Sequence, residues 1–426
     1  MHRNGALGCF VTAWVAICSR AVLAPGPVEP LYGLAQKEKG PFLDTLKELV
    51  SIESGSKDRE GLDRISALIA DRLRALGGKV RFIEPGADIY QMFDTPEKPG
   101  RMVEGRFEGK GTKKILLIAH MDTVCLKGML AQQPFRVEGN RAYGLGIADD
   151  KQGVALILHT LALLEATGFR DYGLITVFID GDEEVSAPVS RGMFGKLGSE
   201  HDATFSCERT EPDHRLSLTT AGIAAITLEV QGKASHAGSA PEQGRNALYE
   251  LAHQVLQMRD LSNPAAGVKV NWTVANAGTN RNVIPERATA VADVRVLRIA
   301  DFEGIEQKVR ERIANHLIPD TTVKMNFERR RPPLEMNPRA EALAKHAQKI
   351  YGEIGNTLAI STVAEGGGTD AAFAAQKTDH PVIERFGVMG FGAHSNSDEY
   401  IQVDSIAPRL YLLARMVMDV SRNATQ

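Results

Sequence analysis

Apolar and polar positions recur with two different periods along this chain, and the changes of period predict its layout. Residues 42–50 and 62–76 place apolar side chains at helical spacing, the second run closed by Gly77-Gly78. Residues 79–83 alternate as a strand does, and residues 102–107 are expected to pair with 114–119 across the Gly109-Lys-Gly111 turn. The run Ile115-Leu-Leu-Ile118 is apolar at every position, the mark of a strand covered on both faces. An apolar-faced helix over 152–165 and a second fully apolar strand over 174–179 complete an α/β alternation with a largely parallel sheet. Near Leu218 the texture changes. Strands over 221–230, 269–275, 288–296 and 323–327, with helices over 246–258 and 302–316, fit a small α+β domain with an antiparallel sheet. The run Arg329-Arg-Arg-Pro-Pro333 reads as a solvated return linker. Beyond it α/β texture resumes, with helices over 340–351 and 405–420 and a strand over 382–386.

The chain is therefore expected to carry a signal peptide over 1–24, a catalytic domain in two parts (25–217 and 331–426), and an inserted domain over 218–330. At 426 residues it exceeds one ordinary core, which agrees with more than one domain. A net charge of −3 gives no basis for nucleic-acid or membrane-surface binding, and no short-period repeat is present. The first segment differs from the rest: Arg3 precedes an uncharged run to Ser19, followed by small residues at Ala21 and Ala24 that suit a cleavage site. Export to the periplasm or medium is the expectation, with no membrane span after processing. Residues 26–40 read as a Pro/Gly-rich lead-in lying on the surface. Cys125 and Cys207 would remain after cleavage and are expected to be free and buried.

The candidate chemistry sits where strands end. His120 closes the apolar strand in His120-Met-Asp122-Thr-Val124, and Asp122 supplies the carboxylate that a metal-bound imidazole needs on its second nitrogen. Asp149 and Asp150 open a helix, where acidic residues also serve as caps. Asp182-Glu183-Glu184 follows the second apolar strand, and such neighbouring carboxylates raise one another's pKa unless cations are near. Adjacent glutamates on an extended segment point apart, so one can ligate while the other faces a water. Glu208 follows a third strand, and His394 stands in Gly390-Phe-Gly-Ala-His394. Two imidazoles with several carboxylates suit a pair of divalent ions. Such a pair, roughly 3.5–4 Å apart, brings the pKa of a shared water toward about 7. Mixed His/carboxylate donors favour zinc, with manganese or cobalt as alternatives.

These strings, together with Gly146-Ile-Ala-Asp-Asp-Lys151, Gly232-Lys-Ala-Ser-His-Ala-Gly238 and Gly366-Gly-Gly-Thr-Asp370, resemble the co-catalytic zinc metallopeptidases. That family includes glutamate carboxypeptidase, aminoacylase and the succinyl-diaminopimelate desuccinylases. The resemblance covers residues 42–420 and looks closest to the bacterial, folate-cleaving glutamate carboxypeptidases. It implies two zinc ions per subunit, with Asp149 bridging, His120 and Glu208 completing one site, and Glu184 and His394 the other. Glu183 would be the general base and Asp122 the support of His120; the Asp149–Asp150 peptide would be cis. The inserted domain would be a ferredoxin-like dimerisation and lid domain. From it His236 would reach the active site of a homodimer partner and stabilise an oxyanion. Asn282, Arg295 and the backbone of Gly367 and Gly368 would hold the substrate's free carboxylate, and Arg215 the side-chain carboxylate of a glutamate. The chain departs from the family's pattern at Val185-Ser-Ala-Pro188 and at Arg209, where the pocket wall is expected to differ.

The activity so implied is release of a C-terminal amino acid, foremost glutamate from a folate-like or N-acyl-glutamate substrate. An aminoacylase or dipeptidase with neutral side-chain preference, and a noncatalytic binding protein on the same fold, are the alternatives.

Overall fold

A computed structural model of the chain describes residues 26–395 and 398–425. The expected signal segment, with Cys9 and Cys18, lies outside the described residues, and none of the described helices is long and apolar enough to cross a membrane.

The larger sheet has six strands in the spatial order Lys79–Ile83, Met102–Glu108, Leu174–Asp180, Lys114–His120, Ala203–Ser206 and Val382–Ile383. The first two junctions are antiparallel and the remaining three parallel. Strand Lys114–His120 shows why its sequence is apolar throughout. Ile115, Leu117 and Ala119 enter one buried cluster, while Leu116 and Ile118 enter another on the opposite face. The first cluster is closed by helices Lys39–Val50, Arg59–Ala75, Gln152–Ala166, Pro338–Glu353 and Ile406–Ser421, the second by Arg191–Glu200 and Ala371–Ala375. Asp58 caps Arg59–Ala75 by accepting from the Gly61 N–H, which fixes where that helix starts.

Two expectations are corrected here. Met102–Glu108 does not pair with Lys114–His120; strand Leu174–Asp180 runs between them. A strand apolar on both faces belongs in the sheet interior, and the Gly109–Gly111 segment is instead bonded to the carbonyls of Gly173, Arg170 and Tyr172. The lead-in is not merely a surface strap either. Leu31–Lys37 is a helix that buries Leu31 and Ala35 in the first cluster, at i,i+4 spacing.

The second sheet is antiparallel throughout, in the order Lys269–Ala277, Arg287–Val296, Gly222–Gln231, Thr322–Arg331. Helices Ala247–Gln257 and Ile299–Arg312 cover one of its faces through a separate buried cluster that includes Ile226, Leu228, Leu251, Val294 and Phe302. This β-α-β-β-α-β order is the ferredoxin-like arrangement. Strand Arg287–Val296 alternates between buried and half-buried positions beyond the exposed Arg287, so its other face stays open. Asp293 and Arg295 on that face look into the cavity beside the ends of the larger sheet.

Phe178 is fully buried and meets Phe194 edge-on, ring centroids 4.9 Å apart, joining the sheet to the helix behind it. Phe178→Ala is expected to remove about 3–5 kcal/mol from the unfolding transition of the larger sheet. Denaturant unfolding followed by circular dichroism checks this; a loss below about 1 kcal/mol contradicts the packing described.

Candidate metal centre

Three parallel neighbours, Lys114–His120, Leu174–Asp180 and Ala203–Ser206, end on the same edge of the sheet. Their carboxyl ends deliver His120, the Glu183–Val185 turn and Glu208 to one place. Asp149 arrives from the π-turn Ile147–Lys151 that opens helix Gln152–Ala166, and the Asp149–Asp150 peptide is cis, as the resemblance implies. His394 arrives from the turn after Gly390–Phe391, with a left-handed backbone (φ 65°).

His120 Nε2 lies 3.0 Å from Asp149 Oδ1 and 3.4 Å from Glu208 Oε1. His394 Nε2 lies 3.3 Å from Asp149 Oδ2 and 3.3 Å from Glu184 Oε2. The two oxygens of Asp149 thus face different imidazoles, the geometry of a carboxylate shared between two sites. Donors bound to one ion at about 2.0–2.1 Å with tetrahedral angles stand roughly 3.3 Å apart, so these His–carboxylate spacings suit donors to a divalent ion, and within each set the ligand atoms lie within 4.8 Å of one another. The buried Glu184 Oε1 makes no hydrogen bond among the described residues.

Protonation points the same way. Burial would lower the His120 imidazole, but hydrogen bonds to Asp122, Asp149 and Glu208 outweigh it and hold the group well above the usual histidine range. Hydrogen bonds to Asp149 and Glu184 raise His394 to about 10, although burial opposes them. Asp149 is held below the usual carboxylate range because the two imidazoles overcome its burial. Burial raises Glu183 and Glu184, against the pull of Arg331 on the first and His394 on the second. The crowded carboxylates thus raise both imidazoles, and a divalent ion at these donors would take the place of those protons.

The supporting residues are held by buried hydrogen bonds. Asp122 is fully buried; its Oδ1 accepts from the Glu183 N–H at 3.1 Å, and its Oδ2 from the Ser56 hydroxyl at 2.7 Å and the Glu184 N–H at 3.1 Å. His120 Nδ1 stands 3.1 Å from the Asp122 carbonyl and 3.3 Å from Oδ1. Glu399, also buried, accepts from the N–H groups of Gly146, Ala148 and Asp149 at 2.9, 2.8 and 3.1 Å. Sequence reasoning missed Glu399, because nothing in Asp398-Glu399-Tyr400 announces that a turn 250 residues earlier depends on it.

Arg331 was missed as well, and the linker reading is corrected for it. Residues 329–331 belong to strand Thr322–Arg331, which extends past its expected end. Arg329 and Arg330 pair with Glu306 and Asp94, while Arg331 is 5% exposed, 2.8 Å from Glu183 Oε1 and 3.2 Å from Asp370 Oδ1. Strand period alone could not have found it: strict alternation puts Arg331 on the helix-covered face with Val323, Met325 and Phe327, and a break in register between Arg329 and Arg331 turns it to the cavity face opposite Ile223.

A cavity of about 580 Å³ joins this centre to the open face of the smaller sheet, and Arg209, Arg295, Arg331, Gly367, Gly368 and Arg385 are among its walls. A Cβ on Gly368 would meet the Arg331 side chain at 2.8 Å, so glycine is what lets the loop approach. Arg295 is held by Asp293 at 3.0 Å and by the Gly366 carbonyl at 2.8 Å. Arg215 does not line the cavity; it is engaged by Asp213 at 2.8 Å and by Glu365. His236 and Asn282 are exposed and adjacent, the Ala237 N–H donating to the Asn282 carbonyl, and neither lines the cavity of its own chain. Cys125 and Cys207 are free and buried.

The profile of peptidase family M20/M25/M40 matches residues 116–419. Carboxypeptidase G2 of Pseudomonas sp. (strain RS-16) is 41% identical over 421 residues, 99% of this chain and 98% of that protein. A succinyl-diaminopimelate desuccinylase of Methylobacterium radiotolerans is 28% identical across 85% of this chain and 92% of its own. The crystal structure of aminopeptidase PepT from Bacillus cereus superposes with a TM-score of 0.72 at 21% identity, covering 90% of this chain and 98% of that one.

Since Asp149 faces both imidazoles, Asp149→Ala is expected to lose both ions, whereas Glu208→Ala keeps the one beside His394. Glu399→Gln, which weakens the support of Asp149, is expected to lower metal affinity about 10–100-fold. Elemental analysis after dialysis against graded chelator checks all three; equal retention in Asp149→Ala and the unaltered chain contradicts the shared-carboxylate geometry.

Proposed function

The chain belongs to peptidase family M20/M25/M40, and from that premise we propose that it is a two-metal amidohydrolase releasing a C-terminal glutamate from N-acyl-glutamate or folate-like substrates. The observation that carries this reading is the placement of Glu183 beside two donor sets that share Asp149. When bound, a pair of zinc ions (manganese or cobalt in their stead) supplies Lewis acidity and a nucleophilic water at neutral pH. His120, Asp149 and Glu208 would hold one ion, and Asp149, Glu184 and His394 the other. Asp122 would keep His120 in orientation.

Glu183 ligates neither ion in this reading. Burial makes its carboxylate a stronger base than an exposed glutamate, so it accepts a proton from water and returns it to the departing amine nitrogen. Arg331 and the backbone of Gly367 and Gly368 receive the substrate's free carboxylate, with Arg295 on the same wall. A substrate carboxylate that draws the Arg331 fork away from Glu183 also frees the base, which couples binding to chemistry. His236 and Asn282 would act in a second copy of the chain, His236 donating to the tetrahedral oxyanion and Asn282 to the carboxylate. A homodimer and export from the cytoplasm are part of the same proposal.

One observation favours a second reading, an aminoacylase or dipeptidase with neutral side-chain preference. Arg209, Arg385 and Arg215 are chained to Glu211, Glu365 and Asp213 at 3.0–3.3 Å or closer, a network with no charge left over for a substrate side chain. The two readings separate on a panel of N-acyl amino acids. Glutamate is expected to exceed leucine and alanine at least tenfold in kcat/KM, and parity supports the neutral alternative. Glu183→Ala is expected to abolish turnover while both ions stay bound; activity above a tenth of the unaltered chain removes Glu183 from its role.

A further inference from the structure

The turn that follows Glu184 is strained at two consecutive residues. Ser186 and Ala187 both hold a left-handed backbone, at φ 69° and 51°. Among the described residues no other pair of neighbouring non-glycine residues shares a positive φ. A Cβ in that conformation crowds the following carbonyl oxygen, so glycine is the residue that adopts it freely. Val185-Ser-Ala-Pro188 is also where the chain departs from the family's pattern.

The surroundings hold this turn from several sides. The Ser186 N–H donates to the Glu183 carbonyl at 2.7 Å and the Ala187 N–H to the Asp182 carbonyl at 2.8 Å. Arg191 takes both strained carbonyls, Nη2 donating to that of Ser186 at 2.7 Å and Nε to that of Ala187 at 3.0 Å. The Asp182 carboxylate accepts from the Val189 N–H and the Ser190 hydroxyl, both at 2.6 Å, and so fixes the far end. Backbone strain persists only where its surroundings over-determine it, and it gathers where function needs a side chain at one point.

The two side chains differ in what accounts for them. Ala187 is fully buried in the cluster that contains Phe178 and Phe194, so packing uses its methyl group. Ser186 is 5% exposed and lines the arginine-walled cavity, and its hydroxyl makes no hydrogen bond among the described residues. What remains for that hydroxyl is the cavity.

Arg331 decides which part of a ligand the hydroxyl would meet. Its Nη2 donates to the same Glu183 carbonyl that accepts from the Ser186 N–H. Arg191 Nη2, besides bonding the Ser186 carbonyl, donates to the Arg330 carbonyl at 3.0 Å. Ser186 and the strand end that presents Arg331 are thus tied together twice, and both side chains line one cavity. We propose that Ser186 is a further substrate-binding residue, its hydroxyl donating to the free carboxylate that Arg331 receives. The proposal rests on the amidohydrolase reading and adds to it a donor that the strained turn holds in place before the ligand arrives. A carboxylate offers about four acceptor directions, of which a guanidinium fork takes two. A hydroxyl aimed at another makes a bond to a charged acceptor, stronger than one between neutral groups.

The test uses the full chain loaded with zinc, benzoyl-glutamate as substrate, and two variants. Ser186→Ala removes the hydroxyl and keeps the strain; Ser186→Gly removes both. Each is expected to raise KM at least about fivefold with kcat within about twofold and bound zinc unchanged, the split that marks lost ground-state binding. Ser186→Gly is further expected to unfold about 2–4 °C higher than Ser186→Ala in a thermal scan. A KM in both variants within about twofold of the unaltered chain, or a fall in kcat at constant KM, overturns the contact and leaves the reaction standing. A midpoint for Ser186→Gly no higher than that of Ser186→Ala overturns the strain on which the proposal is built. No release of glutamate by the unaltered chain overturns the reaction and the proposal with it.

Discussion

Crowded negative charge taken out of water is the constraint that shapes this molecule. Asp122, Asp149, Glu183, Glu184 and Glu208 meet at one edge of a sheet, several of them buried, and only cations close by make such a gathering tolerable. Arg331 is the cation the chain itself provides, and the carboxylates raise the imidazoles of His120 and His394 beside it. That inventory accounts for the architecture around it. Parallel strands bring chain segments distant in sequence to one edge, backbone N–H groups from the following turns neutralise Asp122 and Glu399, and the second domain ends its last strand at Arg331. Each device supplies positive potential where the carboxylates converge.

The two cavities that Glu184 borders differ in chemistry. One is walled by arginines and glycine backbone; the other has Val124, Cys125, Leu126 and Val185 in its walls. The first takes much of its wall from the strands of the smaller sheet and the second from loops, while the centre itself is carried on strand ends and turns held by buried hydrogen bonds.

Much of this was legible in the residues. The doubly apolar runs 115–118 and 174–179 named the interior strands, and the acidic or imidazole residues just after them named the edge where chemistry belongs. The change of texture near Leu218 marked a second antiparallel sheet, and that sheet is present. The failures share a cause, which is dependence on partners far away in sequence. The expected hairpin around Gly109-Lys-Gly111 looked favourable locally, yet strand Leu174–Asp180, about 60 residues later, takes the intervening place. Arg331 reads as one of three solvated cations until Glu183 and Asp370 are seen beside it. Glu399 is an unremarkable acid until the turn at Gly146–Asp149 is folded onto it. Local pattern encodes which face of an element is buried; it does not encode which distant charge will be waiting there.

The central claim is that these converging side chains cage two ions around a shared Asp149. Anomalous diffraction at the zinc edge, from crystals grown with zinc, tests it most directly. The account predicts two peaks, one among His120, Asp149 and Glu208 and the other among Asp149, Glu184 and His394, with Glu183 bound to neither. A single peak, or ions held at other residues while Asp149 stays unligated, would contradict it.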